Sequence, residues 1–191
     1  MKKIVSIILG LSMLSVANAH GVQGGGLING LAHPVFGPDH LLAMVAVGIL
    51  SVQIGGKAIW TVPSAFLTFM LIGGILGMNK IPFPVVETGI AVSVVVLGIA
   101  IALDKGIPTL LAMAFVGLFG MFHGYAHGME MPLVAQPALY ATGFILSTAG
   151  LHIAGVFIGV ISHKIPKGDI VLRVLGAFIA AVGVAILTGF A

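Results

Sequence analysis

The stretch His33-Pro34-Val35-Phe36-Gly37-Pro38-Asp39-His40-Leu41-Leu42-Ala43-Met44 decides how this chain is read. Two histidines, an aspartate, two prolines and a glycine fall within eight residues, at the head of an apolar segment that runs on to about Leu50. Pro38 removes a helical hydrogen bond and disfavours α geometry at Gly37, and Pro34 disfavours it at His33. A helix break that carries imidazole and carboxylate at the start of an apolar run predicts a cation site in a membrane-spanning segment.

Composition supports the membrane half of that reading. Of 191 residues, 59% are hydrophobic and only 7% are charged, with a mean hydropathy of +1.23. Water-soluble domains carry about 25% charged residues. The 28 glycines suit closely packed helices in a bilayer. A formal charge of +3 arises from scattered basic residues, with no basic run to hold nucleic acid. The absence of cysteine excludes disulfides, thiolate zinc sites and cysteine nucleophiles.

At the start, Lys2-Lys3, the apolar run Ile4 to Val16 and the small-x-small sequence Ala17-Asn18-Ala19 read as a signal peptide cleaved after Ala19. The expected domains are therefore 1–19, a signal peptide, and 20–191, a single transmembrane helical domain. Cleavage makes His20 the new N-terminus, where an α-amine beside an imidazole can chelate a metal. An accident of the cleavage context explains His20 as well, so it is a minor candidate.

Six apolar segments follow, at about 26–51, 58–78, 85–103, 107–128, 137–162 and 169–190. Each approaches or exceeds the roughly 20 residues needed to span a bilayer as a helix. The expected fold is an all-α membrane protein, a bundle of six transmembrane helices with the first kinked at Pro34/Pro38. With the mature N-terminus outside, Lys57, Lys105, Lys164, Lys167 and Arg173 fall on the cytoplasmic side and only Lys80 on the outer side. This is the asymmetry of the positive-inside rule. It predicts a multi-pass protein of the bacterial cytoplasmic (inner) membrane with its N-terminus on the periplasmic side.

That topology gathers most of the acids and histidines in the outer half. His123, His127 and Glu130 recur at intervals of four and three near the end of the fourth segment. On a helix they share one face, and a His pair four apart can chelate one divalent ion. The plainer reading is a polar face bonded to neighbouring helices. His33 and His40, seven apart, are separated by about 10.5 Å of rise on an unbroken helix. Both imidazoles reach one ion only if the helix is broken. Glu87, in a first turn, serves equally as a ligand or as an acid stabilised by the helix dipole. His152 stands alone in the fifth segment, where a helix–helix hydrogen bond is the expected role.

Imidazole and carboxylate without thiolate suit borderline divalent ions such as nickel, cobalt, zinc or copper. The pattern His33-Pro34, Gly37, Asp39-His40 and Leu42-Ala43-Met44, with His123-Gly124, Ala126-His127-Gly128 and Glu130, resembles the two signature motifs of the HupE/UreJ nickel permeases. The likeness extends to the signal peptide, the length and the number of spans. It implies secondary transport of Ni2+, and of Co2+ as an alternative, supplying nickel enzymes such as hydrogenase or urease. It further implies that His33, Asp39, His40, His127 and Glu130 handle the metal, with His123 inside the motif and Glu87 a candidate. The metal is then a transported substrate and no cofactor is permanently bound. The partners are the ion and the lipid bilayer, with no nucleic acid and with a homo-oligomer left open.

No nucleotide-binding loop is present, so direct ATP coupling is not expected. An enzyme is not expected either, since a Gly-x-Ser-x-Gly elbow is missing and Ser147 near His152 is a thin basis for hydrolysis. The alternative from another class is a b-type haem electron carrier with two axial histidines, which leaves Asp39 and Glu130 without a role.

Overall fold

A computed structural model describes residues 26–131 and 136–190. The signal-peptide reading and His20 lie outside the described residues. Seven helices and no strand occur among them: α1 (Gly26–Phe36), α2 (Pro38–Ile54), α3 (Ala58–Met78), α4 (Val86–Leu103), α5 (Thr109–Met129), α6 (Pro137–Ser162) and α7 (Gly168–Leu187). Helices α3 to α7 are each long and apolar enough to cross a membrane, and α1 with α2 makes a sixth, broken span. The protein is a multi-pass membrane helical bundle.

The break in the first span bends it by 82°. It is narrower than the sequence led us to expect, because α1 continues through Pro34 to Phe36. The chain leaves the helical register at Gly37 alone, whose backbone is extended at φ −88° and ψ 112°. Pro38 then opens α2 at a first-turn position, where its missing N–H would have had no helical partner anyway.

Glycine sets how closely the helices approach. A Cβ added at Gly124 of α5 would run into the Met70 carbonyl of α3, and one at Gly48 of α2 would run into the His152 carbonyl of α6. Without a hydrophobic force between helices in lipid, such backbone-to-backbone packing holds a bundle together. The most extensive contacts pair α3 with α5, α4 with α7, and α6 with both α1 and α2. Taken as two sets of three spans, this is the pairing that an inverted repeat gives: second with fourth, first with fifth, third with sixth. The two halves differ, since α5 is unbroken where the first span is split.

Polarity is arranged inside out. Leu110, Phe157, Val174 and Phe178 face outward, and His40, Ser51, Ser93, His123, His127, Thr148 and His152 are buried. Lys57, Lys105, Lys164, Lys167 and Arg173 gather at one end of the bundle, whereas Lys80, Glu87 and Glu130 lie at the other, with the Gly37 break.

Candidate metal site

Three helices supply the site at the glutamate-bearing end. The break at Gly37 turns α1 away from α2, so His33 and His40 approach one side chain from two directions. That side chain is His127 of α5, whose ring centroid lies 4.9 Å from His33 and 4.6 Å from His40. An unbroken helix would have kept the two imidazoles about 10.5 Å apart in rise. One helical turn before His127, His123 continues the series, 4.7 Å from His40. The four rings meet edge to face and form a line that runs from the mouth into the bundle.

Exposure falls along this line. The side chains of Glu130 and His33 are 53% and 34% exposed, and the His127 and His123 residues are fully buried. At the mouth, one donor atom each from His33, His127 and Glu130 lie within 4.8 Å of one another. This is the only such trio of His, Asp or Glu among the described residues. Drawing these atoms inward by small rotamer shifts gives the span of a first-row metal with bonds of about 2.0–2.2 Å.

Hydrogen bonds decide which ring nitrogens are free. His33 Nε2–H donates to Glu130 Oε2 at 2.8 Å, which leaves Nδ1 with its lone pair. The His40 Nδ1–H donates to Asp39 Oδ1 at 2.8 Å, and the same oxygen accepts the His40 backbone N–H at 2.8 Å. His40 Nε2 is thereby the basic atom, buried and without a partner among the described residues. Ser93 Oγ donates to the Ile90 carbonyl at 2.6 Å, so its oxygen accepts the His123 Nε2–H at 2.9 Å. Among the described residues, His123 Nδ1 is left free and buried, as are both ring nitrogens of His127. Each imidazole outside His127 thus has one nitrogen fixed by an oxygen and one available, the arrangement that orients metal-ligating histidine. Buried polar atoms without partners cost about 1–3 kcal/mol each. A cluster of such ring nitrogens is suited to a ligand that takes lone pairs.

Glu130 caps α5 just outside the span. The His33 hydrogen bond holds its carboxyl below the usual glutamate range, so it remains an anion at neutral pH. Tyr140 and Phe144 of α6 wall the mouth, Phe144 stacking on His127 at 5.3 Å.

The family model described as HupE / UreJ protein matches residues 7–186. The chain belongs to the HupE/UreJ family. It is similar to a curated relative, Protein HupE of Rhizobium leguminosarum bv. viciae, with 44% identity over 189 residues, 98% of each chain. No solved structure matches it.

In this HupE/UreJ chain, the sequence candidates His33, His40, His123, His127 and Glu130 come together, and Asp39 reaches the cluster through its bond to His40. Glu87 stands apart from the trio at the mouth, exposed in the first turn of α4. One expectation is corrected. His152 makes no helix–helix hydrogen bond, and both its ring nitrogens are buried without a partner among the described residues. Sequence reasoning missed Ser93, Phe66 and Tyr140. A serine amid the apolar run of α4 was a usable signal, whereas nothing distinguished Phe66 from other core aromatics.

Proposed function

We propose that this HupE/UreJ protein is a secondary transporter for a divalent transition metal, Ni2+ first and Co2+ as the alternative, supplying nickel enzymes such as hydrogenase or urease. The observation that carries the proposal is the line of four imidazoles, three of them buried and three with a tautomer fixed by an oxygen, opening on a carboxylate at one end of a membrane bundle. Ionisable groups at membrane depth are costly and accompany ion paths. Imidazole with carboxylate suits nickel and cobalt better than magnesium or calcium.

In this reading the hydrated ion arrives at the periplasmic face of the inner membrane, where Glu130 attracts it. Water is replaced stepwise by His33, His127, His40 and His123, with Asp39 holding His40. His20 at a processed N-terminus and Glu87 at the same end of the bundle, apart from the trio, are accessory groups. The basic opposite end faces the cytoplasm, in keeping with the positive-inside rule. The ion is cargo, and the protein is not an enzyme. The bis-histidine haem reading is disfavoured, because rings in edge contact leave no slot for a macrocycle between them.

The test is metal uptake by cells expressing the protein, with nickel, cobalt, zinc and copper in competition. Nickel uptake is expected, suppressed best by cobalt, and His127→Ala is expected to abolish it. The transport reading fails if His127→Ala and Asp39→Asn, expressed at normal levels, leave uptake unchanged.

A further inference from the structure

Beyond His123 the line of imidazoles is interrupted by one aromatic ring and then resumes. Phe66 of α3 is fully buried, with its ring centroid 5.6 Å from His123 on one side and 5.1 Å from His152 on the other. His152 is 2% exposed and has no partner at either nitrogen among the described residues. Its position on α6 lies against Gly48 of α2, two helical turns beyond His40 and towards the basic end.

Helix direction explains why the two imidazoles face each other. Side chains lean towards the N-terminus of their own helix. Helix α5 runs towards the mouth, so His123 leans inward; α6 runs away from the mouth, so His152 leans outward. The two converge on Phe66. The same face of α6 carries Thr148 one turn earlier, its hydroxyl donating to Met70 Sδ at 3.8 Å, and Met70 lies one turn from Phe66 on α3. The wall between α3 and α6 therefore presents hydroxyl, thioether and imidazole in sequence. A packing histidine in an apolar core would be expected to find at least one acceptor, and this one does not.

We infer that His152 is a second, inner metal station, reached from His123 when the Phe66 ring moves aside. The inference rests on the transport reading and deepens it. An ion held by the outer cluster exchanges one imidazole for another, with no net proton change if His152 is neutral before and after. Phe66 keeps the stations from being joined continuously, which prevents an open pore through the bundle.

The test uses the full chain in proteoliposomes and in detergent. For His152→Gln, equilibrium nickel binding to the outer cluster is expected to stay within about twofold of the parent, and nickel uptake to fall by about tenfold or more. His152→Cys introduces the sole thiol of the chain. A soft thiolate at a true station shifts the uptake ratio of Cd2+ to Ni2+ upward by about tenfold, which a purely structural histidine would not do. Should His152→Gln also lose outer binding, the thiol variant decides. Uptake at the parent rate by His152→Gln, or an unchanged metal ratio in His152→Cys, overturns the inner station. Failure of the transport reading looks different: the parent protein itself then takes up no nickel.

Discussion

Asp39→Asn separates a residue that holds a ligand from one that is a ligand. In the structure a single Asp39 oxygen accepts both the backbone N–H and the Nδ1–H of His40, each at 2.8 Å. Hydrogen bonds to a charged acceptor are worth about 1.5–3 kcal/mol and neutral ones about 0.5–1.5. The amide keeps an oxygen but loses the charge, so the hold on His40 weakens by about 1–1.5 kcal/mol. An amide nitrogen turned towards the ring would also favour the wrong tautomer. Loss of an outer-shell partner of a metal-ligating histidine costs about 10–100-fold in affinity, or roughly 1.4–2.7 kcal/mol. The assay pairs nickel calorimetry on purified protein with radiolabelled uptake in proteoliposomes. The expected result is an apparent KM raised by that factor, with the maximal rate within about twofold of the parent. An unchanged KM refutes the holding role. Uptake that stays absent at hundredfold higher nickel refutes it in the other direction, making Asp39 a direct ligand.

Other outcomes follow from single contacts. Ser93→Ala strips the acceptor from the buried His123 Nε2–H, so nickel affinity drops about tenfold and stability falls by about 1–3 kcal/mol, read by calorimetry and thermal melting. Gly124→Ala forces a methyl onto the Met70 backbone; an overpacking cost of about 1–3 kcal/mol lowers Tm by roughly 2–4 °C per kcal/mol, and nickel binding weakens because His123 and His127 shift with α5. At Gly37, an added Cβ sits 3.0 Å from Asp39 Oδ1 and 3.2 Å from His40 Nδ1, so Gly37→Ala raises the KM for nickel with little effect on melting. Acidification weakens binding, because protons compete for the imidazole nitrogens. Glu130, with its carboxyl held low by His33, keeps its charge until the pH falls through that lowered value. Its charge is thus present at neutral pH, and Glu130→Gln is expected to lower nickel affinity there, measured by nickel binding against pH.

The order of the helices and the residues at the site were largely legible in the chain. Spans at 58–78 and 137–162 match α3 and α6 in full, and the others differ by a few residues at their ends. Hydrophobic length is a local property, and lipid punishes any polar interruption that is not covered. The i, i+4 spacing of His123 and His127 likewise fixed a shared face before any packing was known. For the same reason, Glu87 read as ambiguous: one acid in a first turn carries no information about what stands opposite.

What the sequence determined by itself was the class of protein and its inventory of donors: apolar spans, a proline-marked break, histidine with carboxylate and no thiol. Only the tertiary structure decided how those donors meet. The 82° bend at Gly37 sends His33 and His40 to the same imidazole, although linear spacing had set them apart. Which nitrogen each ring leaves free depends on Asp39, Glu130 and Ser93, and two of these are bonds between helices. The alignment of His123, Phe66 and His152 arises from α3, α5 and α6 together. Periodicity reports a helix's own faces, whereas the partner of each face is set by glycine contacts between backbones far apart in the chain.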